Sequence, residues 1–233
     1  DQELENTDSI NQLEKTESEQ MLLKNEPIEP IFEFVTSKYG NLEIGRRAFP
    51  AFIDIDGDGF LDLIVGNHEG ELRYYRSDHS SGNVQWILES NYFLGYKGGS
   101  NAAPVLYDLD EDEDLDLLVG NQSGSIHYWE NKGITEIADF VYNPTVFIGV
   151  TSGRNSVPAV IDLNADGKKD LLMGKFNGQL YKYIRKDIGK EVRFMLERRK
   201  FLILDVGLGS VPLIVDINNN KHLQGRSQTF PQG

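Results

Sequence analysis

Acidic side chains recur at alternate positions in three short segments, and this spacing suits the binding of a hard cation. The first segment reads DIDGDGFLD, from Asp54 to Asp62, with carboxylates at positions 1, 3, 5 and 9. Oxygen ligands at alternating positions of a tight turn converge on one point, and Ca²⁺ takes roughly six to eight of them, one usually a backbone carbonyl. We therefore predict three calcium sites, with position 7 contributing its carbonyl. The predicted ligands are Asp54, Asp56, Asp58, Phe60 and Asp62; Asp108, Asp110, Asp112, Asp114 and Asp116; and Asp162, Asn164, Asp166, Lys168 and Asp170.

The acidic loops have two other interpretations besides a calcium turn between strands. An EF-hand begins with the same D-x-D-x-D-G pattern but requires a bidentate Glu at position 12. That position is Val65, Val119 or Met173, inside an apolar run, so we exclude the EF-hand. The remaining alternative is a set of solvated acidic turns without a metal. Residues 108–116 include seven acids, and folding them into one turn without a cation costs repulsion, which favours calcium.

The acidic loops belong to a repeat of 54 residues. The residues that keep this spacing are Pro50, Pro104, Pro158 and Pro212; Asp54, Asp108, Asp162 and Asp216; and Gly66, Gly120 and Gly174. Each unit has a short apolar run, the acidic loop, a second apolar run, a Gly-x-x-x-Gly turn and an alternating aromatic strand. A fourth strand follows, predicted to include Tyr92-Phe93 in the first unit and Val146-Phe147 in the second. The loop from Asp216 continues with Asn218 and Asn220, which leaves calcium binding there open.

This repeat predicts an all-β fold, because four short strands in about 50 residues are typical of one β-propeller blade. We predict three full four-stranded blades within residues 31–233, with a half-blade at each end. Either the two halves close a small propeller or the chain is an arc of a larger one. We favour the arc, because the C-terminal residues lack a second apolar run. Residues 1–30 contain nine acids and two lysines and are predicted to be a flexible acidic tail or linker.

Composition disfavours several classes of function. The net charge of −14 disfavours nucleic acid as a partner, and the absence of cysteine excludes disulfides and thiolate metal sites. No apolar run approaches the roughly 20 residues of a membrane-spanning helix. The four histidines show no metal-ligand spacing, and no nucleophile elbow, Walker loop or dinucleotide-binding motif is present. We therefore predict that the chain is not an enzyme.

The loops and their repetition also carry a family resemblance. The run Pro-x-x-x-Asp-x-Asp-x-Asp-Gly-x-x-Asp-Leu-x-x-Gly resembles the FG-GAP, or VCBS-like, repeat over about residues 31–220. This repeat is known from integrin α-chain propellers and from many secreted proteins. The resemblance implies a propeller whose calcium ions stiffen loops on one rim and whose partner binds on a face. It does not imply one particular activity.

Together, these patterns predict a calcium-stabilised β-propeller that is secreted or on the cell surface and binds a protein or carbohydrate ligand. Calcium sites of extracellular modules bind at about 10⁻⁴ to 10⁻³ M and would be empty at cytosolic calcium levels. Two alternatives stay open: a lectin or accessory propeller of a polysaccharide-degrading enzyme, and a purely structural subunit of a surface assembly. Aromatic pairs such as Tyr74/Tyr75 are predicted to pack between blades, and the basic stretch at 182–200 is predicted to be a solvated outer hairpin.

Overall fold

Three four-stranded antiparallel sheets account for the regular structure in the described part of the chain. The computed structural model describes residues 40, 42–134, 137–189, 191–199 and 212. Sheet 1 consists of β1 (Phe49–Ile53), β2 (Asp62–Gly66), β3 (Leu72–Asp78) and β4 (Gln85–Ser90). Sheet 2 consists of β5 (Ala103–Tyr107), β6 (Asp116–Gly120), β7 (Ile126–Asn131) and β8 (Phe140–Tyr142). Sheet 3 consists of β9 (Val157–Ile161), β10 (Asp170–Gly174), β11 (Leu180–Ile188) and β12 (Glu191–Arg199).

Strand order within each sheet follows chain order, so each repeat forms one meander. In sheet 1, Ile53 lies opposite Asp62 and Phe49 lies opposite Gly66. The acidic loop therefore closes one end of the β1–β2 pair, and the Gly-x-x-x-Gly turn follows β2 at the other end. The first two strands of sheets 2 and 3 pair in the same register. The all-β prediction with four strands per repeat is confirmed.

The hydrophobic core lies between successive sheets. Every residue of β2, β6 and β10 is buried, and alternate side chains of such a strand point to opposite faces. Leu117 and Val119 of β6 pack in one cluster with Ile64 of sheet 1. Leu118, between them, packs with Leu171 of sheet 3 in another cluster. Each fully buried side chain of this size stabilises the fold by roughly 1.5–3 kcal/mol.

Aromatic side chains of the third strands belong to these cores or to the core on the far side of sheet 1. Tyr75, Tyr128, Trp129 and Tyr183 are each no more than 5% exposed. The predicted packing between sheets is borne out for Tyr128, Trp129 and Tyr183, whereas Tyr75 is buried against residues of its own sheet and of the segment before it. One detail of the fourth strands was wrong: β4 ends at Ser90 and β8 ends at Tyr142, before Tyr92-Phe93 and Val146-Phe147.

The phenylalanine of each pair lies outside the strands and packs against rings of its own and the neighbouring sheet, whereas Tyr92 is 50% exposed. Phe93 lies in a short 3-10 turn, Phe93–Gly95, and its ring centroid is 5.0 Å from that of Tyr74 and 6.1 Å from that of Phe140. Phe147 stacks on Phe194 of sheet 3 at 4.9 Å. At Phe93 and Phe147 the apolar side chain therefore packs between sheets rather than within a strand.

Close approach of neighbouring sheets explains the repeated glycine that ends each second strand. A Cβ on Gly120 would lie 2.2 Å from the carbonyl oxygen of Ser156 and 2.9 Å from Cδ of Pro158. A Cβ on Gly66 would lie 2.1 Å from the carbonyl oxygen of Ala102. Both distances are shorter than any real Cβ contact, so only glycine allows the backbone of the next sheet to come this close.

Backbone hydrogen bonds join successive sheets at the same place in each repeat. Ala102 N donates to Asn67 O at 3.0 Å, and Ser156 N donates to Asn121 O at 2.8 Å, one repeat later. The side chain of Asn121 is fully buried, and its Nδ2 donates to Gly98 O at 2.9 Å. Sheets 1, 2 and 3 are thus joined by one repeated contact.

The tail predicted at residues 1–30, the two half-blades and the loop from Asp216 lie outside the described residues. The predicted domain boundary and the choice between an arc and a closed ring stay predictions.

We expect Gly120→Ala to destabilise the fold by at least about 2–3 kcal/mol, because the added methyl meets backbone atoms that cannot rotate away. Gly82→Ala is the matched control: its Cβ has open space, so only the φ of 79° opposes it, at about 1 kcal/mol. Chemical denaturation measures both values. Equal losses in the two variants would contradict a tight joint at Gly120.

Candidate metal centre

The three acidic loops occupy the same end of their sheets, each between the first and the second strand. In the first loop, Asp54, Asp56 and Asp58 each offer one carboxylate oxygen, and these three oxygens lie within 4.8 Å of one another. The same holds for Asp108, Asp110 and Asp112 of the second loop. Two aspartate triplets could therefore hold a metal ion, and their all-oxygen character suits a hard cation.

Asp54 shapes the first loop through bonds to its backbone. One carboxylate oxygen accepts a hydrogen bond from Gly57 N at 2.8 Å, and the other accepts one from Gly59 N at 2.9 Å. Both glycines have positive φ, 74° and 85°, which lets the chain wrap around the carboxylates. Asp56 and Asp58 each accept one backbone hydrogen bond through Oδ1. Among the described residues, nothing donates to Oδ2 of either side chain, which leaves those oxygens free for a cation.

Burial and mutual repulsion make ionisation less favourable for one carboxylate in each of the first two loops, and so raise its pKa. Burial raises the pKa of Asp56, and repulsion from Asp62 and Asp58 raises it further. Burial also raises the pKa of Asp110, with repulsion from Asp112 as the next cause. A nearby cation favours the ionised form and would reverse both effects. The loops therefore fit the calcium ion that their spacing predicts.

The ninth-position aspartate has a different setting from the other three in its loop. Asp62 is fully buried. Its Oδ2 accepts hydrogen bonds from Ile55 N at 3.3 Å and the Tyr74 hydroxyl at 2.9 Å, and its Oδ1 accepts one from Ser77 N at 2.9 Å. The carboxylate thus ties the start of the loop to the third strand. It lies outside the group of three convergent oxygens, although its charge raises the pKa of Asp56.

Asp116 repeats this arrangement in sheet 2. It accepts hydrogen bonds from Leu109 N at 2.9 Å, the Tyr128 hydroxyl at 2.9 Å and Asn131 N at 2.8 Å. Burial raises the pKa of Asp116 to about 6. In sheet 3 Asp170 binds Leu163 N and Arg185 N at 3.0 Å each. A carboxylate oxygen accepts more than one bond, so metal ligation by Asp62, Asp116 and Asp170 stays a prediction.

Hydrogen bonds from within the third loop occupy part of its carboxylate oxygens. Asn164 Nδ2 donates to Asp166 Oδ2 at 3.0 Å. The hydrogen bond from the Lys168 backbone, followed by the one from Asn164, holds the pKa of Asp166 below its usual value. Lys168 also pairs through Nζ with Asp187 at 2.5 Å. The predicted site at Asp162, Asn164 and Asp166 stays a prediction, and we expect it to bind calcium more weakly than the first two loops.

Side chains at position 7 are engaged outside the loop. The Phe60 ring stacks on His79 with centroids 3.8 Å apart, and Lys168 forms its ion pair with Asp187. These contacts are compatible with a role for the main chain alone at this position. Ligation by the carbonyls of Phe60, Asp114 and Lys168 stays a prediction.

The second loop has backbone strain that the sequence did not reveal at position 4. Glu111 has a φ of 68° and Glu113 a φ of 76°, where the first loop has Gly57 and Gly59. A residue with a Cβ pays about 1–2 kcal/mol for this conformation. Arg185 of sheet 3 supports the strained loop: its Nη1 donates to Leu109 O at 2.8 Å and lies 3.6 Å from Glu111 Oε1.

We expect Glu113→Gly to raise the free energy of unfolding by about 1 kcal/mol without calcium, because glycine adopts this φ freely. Glu113→Gln is the matched control, since it removes the same charge and keeps the strained backbone. Thermal melting in chelator compares the two variants. A gain in Glu113→Gln as large as that in Glu113→Gly would assign the effect to charge and contradict the strain.

Comparison with known proteins gives one clear match. The family model described as an FG-GAP-like repeat matches residues 54–119 and again residues 108–173. The two matches together span 120 of the 233 residues. Each runs from the first aspartate of one acidic loop to the second strand of the next sheet. Among curated proteins, no sequence matches this chain.

Proposed function

This chain belongs to the FG-GAP-like repeat family, and from that premise we propose that it is a calcium-stabilised β-propeller segment serving as an extracellular binding module. The observation that carries the proposal is the convergence of three carboxylate oxygens within 4.8 Å in each of two successive loops.

Calcium would be held mainly by Asp54, Asp56 and Asp58 in the first loop and by Asp108, Asp110 and Asp112 in the second. A bound ion supplies positive charge that offsets the repulsion among these carboxylates. Asp54 keeps the loop wrapped through its two backbone hydrogen bonds, so the triplet is arranged before any ion arrives. At free calcium about 100 times the dissociation constant, each occupied site adds roughly 2.7 kcal/mol to stability.

The propeller arrangement is supported by the joint between sheets. The same glycine and the same backbone hydrogen bond recur between sheets 1 and 2 and between sheets 2 and 3. A constant joint between identical units generates a regular curved array, as in radial β-propellers. We propose that each sheet is one blade and that the array continues beyond the described residues.

We propose a binding role rather than a catalytic one, because calcium binding accounts for the acidic clusters without any catalytic role for them. Asp54, Asp56 and Asp58 accept hydrogen bonds from backbone amides of their own turn, which suits a rigid cross-link rather than proton transfer. Asp108 and Asp112 do the same in the second loop. Domains of this family are typically extracellular, where calcium is abundant enough for weak sites. Among the described residues, no helix has the length and apolar character needed to cross a membrane.

Asp56→Asn tests the calcium role, because the amide oxygen keeps the bond from Asp58 N while the charge is lost. Without calcium we expect a small rise in melting temperature, since the substitution relieves the repulsion that raises the pKa of Asp56. With saturating calcium we expect a fall of roughly 5–10 °C relative to the unsubstituted protein, because one site is lost. Thermal melting in chelator and in calcium measures both.

Asp139→Asn is the matched control, because it removes one exposed carboxylate outside the loops. We expect it to behave alike in chelator and in calcium. A rise in melting temperature for Asp56→Asn under both conditions would support solvated acidic turns and contradict the calcium role.

A further inference from the structure

A basic pocket lies at the opposite end of the sheets from the acidic loops. Residues that precede each first strand and residues that follow each second strand meet there, because the two strands are antiparallel. The pocket has a volume of about 290 Å³ and includes Arg47, His68, Asn101, Arg154, Asn155 and Phe176. All three sheets contribute to it. None of the described residues that line it is acidic.

Two guanidinium groups of this pocket have no counter-ion among the described residues. Arg46, also in the lining, pairs with Glu69 at 3.3 Å, whereas neither Arg47 nor Arg154 lies within ion-pair distance of a described carboxylate. The chain has 37 acidic residues against 23 basic ones, so unpaired arginines are not explained by a shortage of acids. A guanidinium presents a planar fork of donors that matches a carboxylate, which makes these two groups suited to an anionic ligand.

Amide side chains in the pocket are held in place by one another. The Nδ1 of His68 donates to Asn101 Oδ1 at 2.6 Å, and Asn101 Nδ2 donates to Asn155 Oδ1 at 2.8 Å. Asn101 is only 7% exposed, so this chain of bonds has a buried centre. Among the described residues, Nδ2 of Asn155 and Nε2 of His68 have no hydrogen-bond partner. Both atoms are therefore available to polar groups of a ligand, and their positions are fixed in advance.

Three residues that line the pocket have a left-handed backbone conformation. Arg47, Asn101 and Asn155 occur 54 residues apart and have φ values of 54°, 57° and 53°. Asparagine adopts this conformation readily, but arginine does so at a cost. Strain of this kind persists most often at sites of function. Arg47 thus combines a strained backbone with a guanidinium that forms no ion pair among the described residues.

We propose that this pocket binds a small carboxylate-bearing ligand, whose carboxylate is held by Arg47 and Arg154. Nδ2 of Asn155 and the exposed amide of Gln122 are available to its other polar groups. The Arg154 guanidinium carbon lies over the Phe176 ring, 5.9 Å from its centroid, and this contact positions the guanidinium at the pocket. The volume is at the lower limit of about 300–1,000 Å³ for ligand pockets, so one acid or one acidic residue of a chain fits. This inference deepens the proposed binding role and rests on it, but it does not depend on the calcium loops.

The carboxylate could come from a sugar acid or from an acidic amino-acid side chain, and two probes separate these sources. We would titrate the calcium-saturated full chain with glucuronate and with glutarate, following backbone amide signals by NMR, with glucose as the neutral control. We expect saturable shifts at Gln122 and Asn155 with the acids and none with glucose. The dissociation constant for a ligand of this size is expected to be on the order of 1 mM. Tighter glucuronate binding assigns the pocket to a sugar acid, and tighter or equal glutarate binding assigns it to an acidic side chain.

Substitutions locate the binding. Arg47→Gln and Arg154→Gln should each weaken binding by about tenfold or more, whereas Arg198→Gln, which removes the same charge from β12, should leave it unchanged. Arg47→Gly should weaken binding and also raise the melting temperature by roughly 1–3 °C, because glycine relieves the strained φ. A residue with only a structural role would not show these two opposite effects.

Absence of saturable shifts with both acids would overturn the proposal, as would equal weakening by Arg198→Gln. Melting of the same samples in calcium and in chelator keeps the two proposals apart. Calcium stabilisation without acid binding overturns the pocket alone, and acid binding without calcium stabilisation overturns the calcium role alone.

Discussion

Carboxylates of like charge converge to within 4.8 Å in each of the first two loops, and hydrogen bonds to the backbone of the turn hold most of them there. Asp54 is tied to Gly57 and Gly59, and the loop begins and ends in strands that are fixed by the cores between sheets. Relief by moving apart would break the hydrogen bonds that form the turn. A cation relieves the same repulsion and leaves the turn intact, which is why the proposed role of calcium is structural.

The short inner strands give the sheets two chemically different ends. Each first and second strand has five residues, and their pairing puts the acidic loop at one end and the inter-sheet joint at the other. Rigid acidic turns and a basic, hydrogen-bonded pocket therefore lie on opposite sides of the same β-sheet core. In such an arrangement, calcium can stiffen the scaffold without occupying the surface that meets a ligand.

Strands and loops were predictable because their signals are local and recur in register. Continuous apolar runs predicted the buried second strands, and carboxylates at alternating positions predicted the tight turn in which Gly59 has a φ of 85°. The same logic failed at Val146-Phe147, where apolar side chains are buried between sheets rather than in a strand. Glu111 was also missed, because only the backbone shows that position 4 needs a positive φ.

Contacts between repeats were harder to predict. Gly66 and Gly120 stood out by their spacing, but the reason, a carbonyl of the next sheet about 2 Å from the missing Cβ, appears only when the sheets are assembled. The residues of the basic pocket had an even weaker pattern in the sequence than these glycines. Arg46 and Arg154 are in equivalent positions, but Ser100 interrupts the series in the middle repeat, and the conspicuous basic stretch at 182–200 lies elsewhere.

Thermal melting of the unsubstituted chain, in chelator and across a calcium titration, is the most direct test of the calcium-stabilised scaffold. We predict a saturable rise of roughly 5–10 °C for each occupied site, with a smaller rise in magnesium, because Mg²⁺ loses its water shell reluctantly. A melting temperature that is the same in chelator and in millimolar calcium would contradict a structural role for metal in these loops.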